Sequence, residues 1–272
     1  MPTKNSLTDN LAFVTPTLTN TKGLLTLLKN IDNFYPKSTV VLINNDGNKP
    51  LEEKIDTRRF SMKIVTINNR KNEGYGKAAN DGARQALMVV KNLEYLVFLN
   101  DDISFKNEWI SKCIQRLKKN KWSAAVPVLL NKEGQPENFG YHILPYGKIR
   151  PIIDSSSTSD VDGFSAAALI IKSGDFFKLR GYDPIYFAYL EDVDLFIRAK
   201  KEGIKFGMIK EVRIFHEGQK TSSEFKVKKA YLDFRNWIIL IVKNWGFRKI
   251  LFNLPSIFIE RLRNLWGIVK TI

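Results

Sequence analysis

Apolar and polar positions follow two periods along the first half of the chain. Leu11–Thr15, Thr39–Ile43, Lys63–Ile67 and Leu93–Leu99 are short apolar or β-branched runs of strand length. Gly23–Ile31, Lys77–Val90 and Asn107–Asn120 instead repeat apolar residues at helical spacing. Strands interleaved with helices predict an α/β fold, a mostly parallel central sheet flanked by helices on both faces. Each predicted strand ends in a polar cluster: Thr15-Pro16-Thr17, Asn44-Asn45-Asp46, Asn68-Asn69 and Asn100-Asp101-Asp102. In open α/β sheets ligands sit beyond the carboxyl ends of the strands, so these clusters are expected to line one cleft.

The second half is less regular. Trp122–Leu130 and Gly163–Lys172 read as strands, and Tyr141–Asp160, rich in Pro, Gly and Ser, reads as a long loop. Tyr189–Gly203 reads as a helix with acids in its first turn, bases in its last and a glycine stop. A strand over Phe206–Phe215 runs into His216. From about Ser223 the chain is expected to be helical, aromatic and basic to its end.

Composition narrows the class. With 44% hydrophobic residues in 272, the chain can bury a proper core. The single Cys113 excludes an internal disulfide framework and sits in the amphipathic pattern Trp109–Leu117 as a small core residue. Met1–Ser6 carry no apolar segment of the secretory type, and no stretch reaches the ~18 apolar residues of a spanning helix. The expectation is a cytoplasmic protein, in one reading peripheral on the inner face of the cell membrane. Forty-three basic against 28 acidic residues give a net charge of +15, which favours polyanionic partners. Nucleic acid is the weaker candidate, because no recognisable nucleic-acid motif is present.

Four constellations can carry chemistry. Asn100-Asp101-Asp102 is open to two readings, a capped turn or a divalent-cation site shared with substrate phosphates. Asn72-Glu73-Gly74-Tyr75-Gly76-Lys77-Ala78-Ala79-Asn80 opens a helix with glycines that let the backbone approach a ligand closely, at a helix N-terminus that favours anions. In Glu191-Asp192-Val193-Asp194, Asp194 pairs with Arg198 one turn on as a structural element, and the first two acids are candidates for a general base. His216, at a strand end before Glu217-Gly218, is a candidate metal ligand, whereas His142 receives no role.

These pieces, in this order, resemble the family 2 glycosyltransferases of GT-A (Rossmann-like) fold, especially their rhamnosyltransferase-like branch. The resemblance spans roughly Leu11 to Trp245. It rests on Asn72–Asn80, on Asn100-Asp101-Asp102, on the segment from Arg180-Gly181-Tyr182-Asp183 to Glu191-Asp192-Val193-Asp194, and on His216. It implies a metal-dependent, inverting hexosyltransferase. Asp102 and His216 would hold Mg²⁺ or Mn²⁺, and Thr15, Thr17, Asn44, Asn72, Gly74, Lys77, Asn100 and Asp101 would bind the nucleotide-sugar. Asp192 would be the catalytic base, with Glu191 placing the acceptor. The donor would be dTDP-rhamnose or a UDP-sugar, and the acceptor a hydroxyl of a glycan or lipid-linked acceptor in cell-surface polysaccharide synthesis. Asn44 stands where the family often has Asp.

The resemblance also implies a catalytic domain over residues 1–222, with a nucleotide-sugar half to about 104 and an acceptor half from about 105. A basic aromatic helical extension covers 223–272. That extension interleaves Trp237, Trp245, Phe247, Phe252, Phe258 and Trp266 with Lys and Arg, as suits an anionic membrane surface or a helical pair packed on the domain. Two rivals stand beside the enzyme reading: a non-catalytic nucleic-acid-binding protein, and a degenerate scaffold of transferase fold.

Overall fold

The structure is a computed structural model that describes residues 9–155, 161–218 and 226–269. The boundary drawn at 222/223 lies outside the described residues. In chain order the elements are β1 (Leu11–Thr17), α1 (Thr21–Phe34), β2 (Thr39–Asn44), α2 (Leu51–Lys54), β3 (Lys63–Asn68) and α3 (Tyr75–Val89). Then come β4 (Tyr95–Leu99), β5 (Ile103–Ser104), α4 (Ile110–Asn120), β6 (Ala124–Leu130), β7 (Tyr141–Ile143), β8 (Ile149–Pro151) and β9 (Ala168–Lys172). α5 (Ser173–Lys178), α6 (Glu191–Lys201), β10 (Phe206–His216), α7 (Lys226–Asn244) and α8 (Phe247–Val269) complete the described chain.

β1 and β4 are buried along their whole length because they are central and covered on both faces. The sheet order is β3-β2-β1-β4-β9-β6-β10-β5. The first three strands build outward from β1 in one direction and β4 adds on its other side, so the order reverses between β1 and β4. A crevice opens at such a switch point beyond the strand ends. One face carries the apolar sides of α1 and α4, among them Leu24, Leu28, Ile114 and the buried Cys113. The other carries α3 and α6 through Ala79, Ala83, Phe196 and Ala199, with Phe98, Phe176 and Tyr182 stacked edge to face. Each such large side chain contributes about 1.5–3 kcal/mol by leaving water.

Four features differ from the pattern read in the sequence. β9 enters between β4 and β6 antiparallel to both, and β5 lies antiparallel on β10, so the sheet is parallel only in its other six strands. The stretch read as a long loop from Tyr141 holds the hairpin β7–β8, paired Tyr141↔Pro151 to Ile143↔Ile149. β9 begins at Ala168 rather than Gly163, which frees Ser165, Ala166 and Ala167 to border the cleft. α6 begins at Glu191, because Tyr189 and Leu190 have φ of +69° and +67° and cannot join the helix.

Candidate active site

Each component of the site is delivered by a strand or helix end. Thr17 closes β1, and its hydroxyl donates to Asp101 Oδ2 at 2.7 Å. Asn20 caps α1 by accepting from the Gly23 amide at 3.1 Å, and its amide reaches Asp101 Oδ1 at 3.4 Å. Burial pushes the Asp101 carboxyl up to about 6, against the Thr17 hydrogen bond. Asp102 follows, and sheet register decides its partner. β5 pairs with the end of β10 so that His216 lies opposite Ile103. His216 Nε2 is 3.5 Å from Asp102 Oδ1, while Nδ1 is 3.0 Å from Glu137 Oε1.

An ionised carboxylate only accepts, so Nδ1 carries the proton toward Glu137 and Nε2 is turned to Asp102. This carboxylate–imidazole order is the usual support of a metal-ligating histidine. Burial opposes an imidazolium here, but Glu137 and Asp102 outweigh it and raise the His216 pKa. Asp102 is itself shifted up by burial, and its Oδ1 is buried with no hydrogen-bond partner among the described residues. An orphaned buried carboxylate oxygen beside an oriented imidazole fits a divalent cation. The two supply only part of a coordination shell, and no group of three or more His, Cys, Asp or Glu could hold a metal ion among the described residues.

The glycine motif does a different task from the one its sequence suggests. Gly74 has φ of +84°, and a Cβ there would fall 2.3 Å from the Phe187 carbonyl oxygen. The Tyr75 amide donates to that same carbonyl at 2.6 Å. Asn80 clamps Tyr182 in both directions, Nδ2 to its carbonyl at 2.7 Å and its amide to Oδ1 at 2.9 Å. The start of α3 and the turn before α6 therefore interlock, although about 100 residues separate them. Phe187 at φ +63° joins Tyr189 and Leu190 in the left-handed region, a conformation that costs on the order of 1–3 kcal/mol per residue.

That turn presents Glu191 and Asp192. Asp192 accepts from the Ala166 amide at 3.2 Å and the Val193 amide at 2.8 Å. Glu191 Oε2 is buried without a hydrogen-bond partner among the described residues, and burial plus the Asp192 charge push its pKa up to about 8. Burial also raises Asp192, but backbone N–H groups oppose it. The negative charge of the pair thus belongs on Asp192, while Glu191 keeps its proton near neutral pH. Asp194 faces the other way and is fully buried, bound by Arg198 Nε at 2.7 Å.

The two acid pairs and His216 meet in one cleft of about 900 Å³ at the β1/β4 switch point, lined among others by Thr17, Asn72, Gly74, Asn100, Asp101, Asp102, Glu191, Asp192 and His216. Tyr75 lies among both acid pairs: burial first, then the charges of Glu191, Asp192, Asp101 and Asp102, hold its phenol above the ordinary range. Three expected nucleotide contacts fall elsewhere. Thr15 is fully buried beneath the strand end. Asn44 is 1% exposed, its amide spent on the Lys49 carbonyl and Asn68. Lys77 is turned to Asp81 on α3, 2.8 Å away.

The neighbour Asn45 lines the cleft instead, donating to Asn72 Oδ1 at 3.0 Å and accepting from the Glu73 amide at 3.0 Å. Asn45, Tyr75 and Glu137 were not singled out in the sequence. Asn45 stood in a strand-end cluster, Tyr75 stood inside the glycine motif, and Glu137 carried no local signal. A second chamber of about 380 Å³ adjoins the cleft and shares Ser165, Tyr189, Glu191, Asp192 and Lys229 with it; the hairpin and Asp233 form its far wall.

Sheet order, the cleft at the switch point and the two acid pairs together define a glycosyltransferase of GT-A fold. Glycosyl transferase family 2 matches residues 12–174, and the chain belongs to that family. It is 24% identical to the low-salt glycan biosynthesis hexosyltransferase Agl10 of Haloferax volcanii, over 89% of this chain and 80% of that one. It is 25% identical to the dTDP-rhamnosyl transferase RfbF of Shigella flexneri, over 84% and 77%. Among solved structures, the mannosyltransferase PcManGT of Pyrobaculum calidifontis, in complex with GDP-Man and Mn²⁺, shares the fold with a TM-score of 0.59. That match is 12% identical and covers 95% of this chain and 72% of the other.

Proposed function

We propose that the protein transfers a sugar from a nucleoside-diphosphate sugar to a hydroxyl of a glycan or lipid-linked acceptor, with inversion at the sugar carbon. The observation that carries this reading is the placement of Asp102–His216 and Glu191–Asp192 in the same cleft. Thr17, Asn72 and Asn100 border the donor side. Asp102 and His216 would hold Mg²⁺ or Mn²⁺ together with the donor diphosphate, and Glu137 fixes the imidazole for that task. When bound, the cation supplies Lewis-acid stabilisation of the leaving diphosphate. The Mn²⁺ and GDP-Man in the Pyrobaculum mannosyltransferase support this assignment.

Asp192 takes the proton of the acceptor hydroxyl, a contribution of roughly 10²–10⁴-fold for a positioned base. Its two backbone donors hold it ionised and aimed. Glu191, protonated at neutral pH, donates a hydrogen bond to a sugar hydroxyl. The acceptor enters through the second chamber, which reaches Asp192 without passing the Asp102–His216 side. One base and no carboxylate nucleophile make the displacement direct, unlike the two-step route of retaining hydrolysis. The name of the Haloferax relative supports a role in glycan biosynthesis, and that of the Shigella relative supports a dTDP-rhamnose donor.

The test is a panel of nucleotide sugars with and without Mg²⁺ or Mn²⁺, reading released nucleoside diphosphate and the anomeric configuration of the product. Asp192→Asn is expected to lower kcat at least a hundredfold with donor affinity retained. Turnover by Asp192→Asn at the wild-type rate, or a product of retained configuration, would remove Asp192 from the base role.

A further inference from the structure

The two tail helices send their apolar side chains to different destinations. On α7, Trp237, Leu240, Ile241 and Trp245 are buried against the β7–β8 hairpin and α6. α8 meets that body through Ile250 and Ile257, with Glu260 and Arg261 also buried. On the rest of α8, Phe247, Leu251, Leu254, Phe258, Leu262 and Leu265 are 42% to 78% exposed. Their spacing of three and four residues puts them on one stripe of the helix. The exposed Phe252, Ile259 and Trp266 widen this stripe on one side, and Arg248, Lys249 and Arg263 are exposed on that same side. The one acid of the helix, Glu260, is tucked away on Lys148 Nζ at 2.6 Å.

From Lys226 to Ile272 the chain carries ten basic and two acidic residues. No described helix is long and apolar enough to cross a membrane. An apolar stripe edged with cations and short of a membrane span suits a helix lying in a lipid interface. A second copy of the chain would meet this face with the same cations, a like-charge approach at a net charge of +15.

We propose that α8 lies in the plane of an anionic bilayer surface, with its apolar stripe at the acyl boundary and its arginines and lysine among the head groups. The proposal does not depend on transferase chemistry. The experiment is flotation of the full chain with phosphatidylcholine vesicles that contain or lack phosphatidylglycerol. At low salt the protein floats with anionic vesicles and not with neutral ones, and added salt weakens binding. Combined Leu251→Gln, Phe258→Gln and Leu262→Gln lowers apparent vesicle affinity at least tenfold. Arg248→Gln with Lys249→Gln lowers it severalfold, for anionic vesicles alone. Donor turnover in vesicle-free buffer stays within twofold of wild type in both variants. Absence of flotation at low salt overturns the proposal. So does a discrete dimer in vesicle-free buffer that the triple variant dissolves.

The backbone leading into Glu191 is held from α7. The carbonyls of Tyr186, Ala188 and Tyr189, in the turn that holds the positive-φ residues, converge on one buried side-chain amide, Asn236 Nδ2 of α7, at 2.8, 2.7 and 2.8 Å. Asn236 is fully buried, and its Oδ1 accepts from Arg235 Nε at 3.0 Å. An amide nitrogen has two N–H donors, so one hydrogen is shared between two of the three carbonyls, and the similarly sized Asp and Leu offer no N–H there. We infer that Asn236 is a positioning residue, holding the turn that aims Glu191 and Asp192. This rests on the transferase reading.

Asn236→Asp keeps the size and removes the donors. Expected are a kcat at least tenfold lower with donor KM within about twofold, and at least tenfold faster amide exchange confined to 186–191. Both are measured where circular dichroism shows a folded chain. Unchanged exchange in that segment overturns the inference whatever the activity. A wild-type kcat in the folded variant does so too, whereas the wild-type control by itself judges the transferase reading.

Discussion

Glu191 and Asp192 are neighbours with opposite electrostatic tasks, and the difference lies in which backbone N–H groups each one meets. Asp192 meets two, whereas a Glu191 oxygen is buried with none. An unfolded glutamate titrates near 4.5, and folded Glu191 keeps its proton to about 8. Across that window the folded state binds more protons than the unfolded one, so stability falls as pH rises through it. Glu191→Gln removes this dependence. Its melting temperature is expected to match wild type at pH 5 and to exceed it at pH 8; parallel curves for the two proteins would refute the assignment. The same scale explains what the sequence could and could not reveal. Strand-end clusters marked the cleft, but which residue of a cluster faces it depends on strand parity and depth. Asn44 and Asn45 differ by one position and Thr15 and Thr17 by one full pleat, and in each pair only the second borders the cleft.

At the scale of elements, the glycine motif and the Glu191-Asp192 segment are two halves of one joint. Gly74 fits because the Phe187 carbonyl occupies the place of a Cβ, and because φ of +84° is open to glycine. Gly74→Ala must therefore move either α3 or the acid-bearing turn. The expected cost is about 1–3 kcal/mol of stability from backbone strain. Since Asp192 sits on the displaced turn, kcat should fall further than donor affinity, which thermal melts and donor titration separate. A variant that is stable and fully active would show that the two elements slide freely. This joint was legible as two separate motifs, because periodicity and composition are local and the pairing of 74 with 187 is not. The β7–β8 hairpin escaped for a related reason. Its strands are three residues long, with Pro145 and Gly147 in the turn between them, so the local signal is that of a loop. β9 was legible as a strand but not as an antiparallel one, since an apolar run carries no direction.

For the molecule as a whole, α7 is tied to the body through a single buried carboxylate as much as through its tryptophans. Asp194 is fully buried, accepting from Arg198 Nε at 2.7 Å, the Tyr186 hydroxyl at 3.1 Å, Lys243 Nζ at 2.8 Å and Asn244 Nδ2 at 3.1 Å. Burial alone would raise its pKa, but Arg198 and Lys243 outweigh that and hold it below the ordinary aspartate value. Its contribution is thus fully present above pH 4 and is lost as pH falls through the lowered folded value. Asp194→Ala leaves Arg198 and Lys243 facing each other without their counter-charge. Removing one partner of a buried pair costs about 3–5 kcal/mol, far above the loss of an exposed pair. Because Lys243 and Asn244 belong to α7, the damage should appear first as release of that helix from α6. Calorimetry is expected to show one transition for wild type, and for Asp194→Ala a lower, broadened one with early exposure of Trp237 and Trp245 by fluorescence. Tryptophan exposure that instead coincides with loss of the whole sheet would mean that the hydrophobic contacts of Trp237 and Leu240 suffice to hold α7, and that Asp194 only trims the stability of α6.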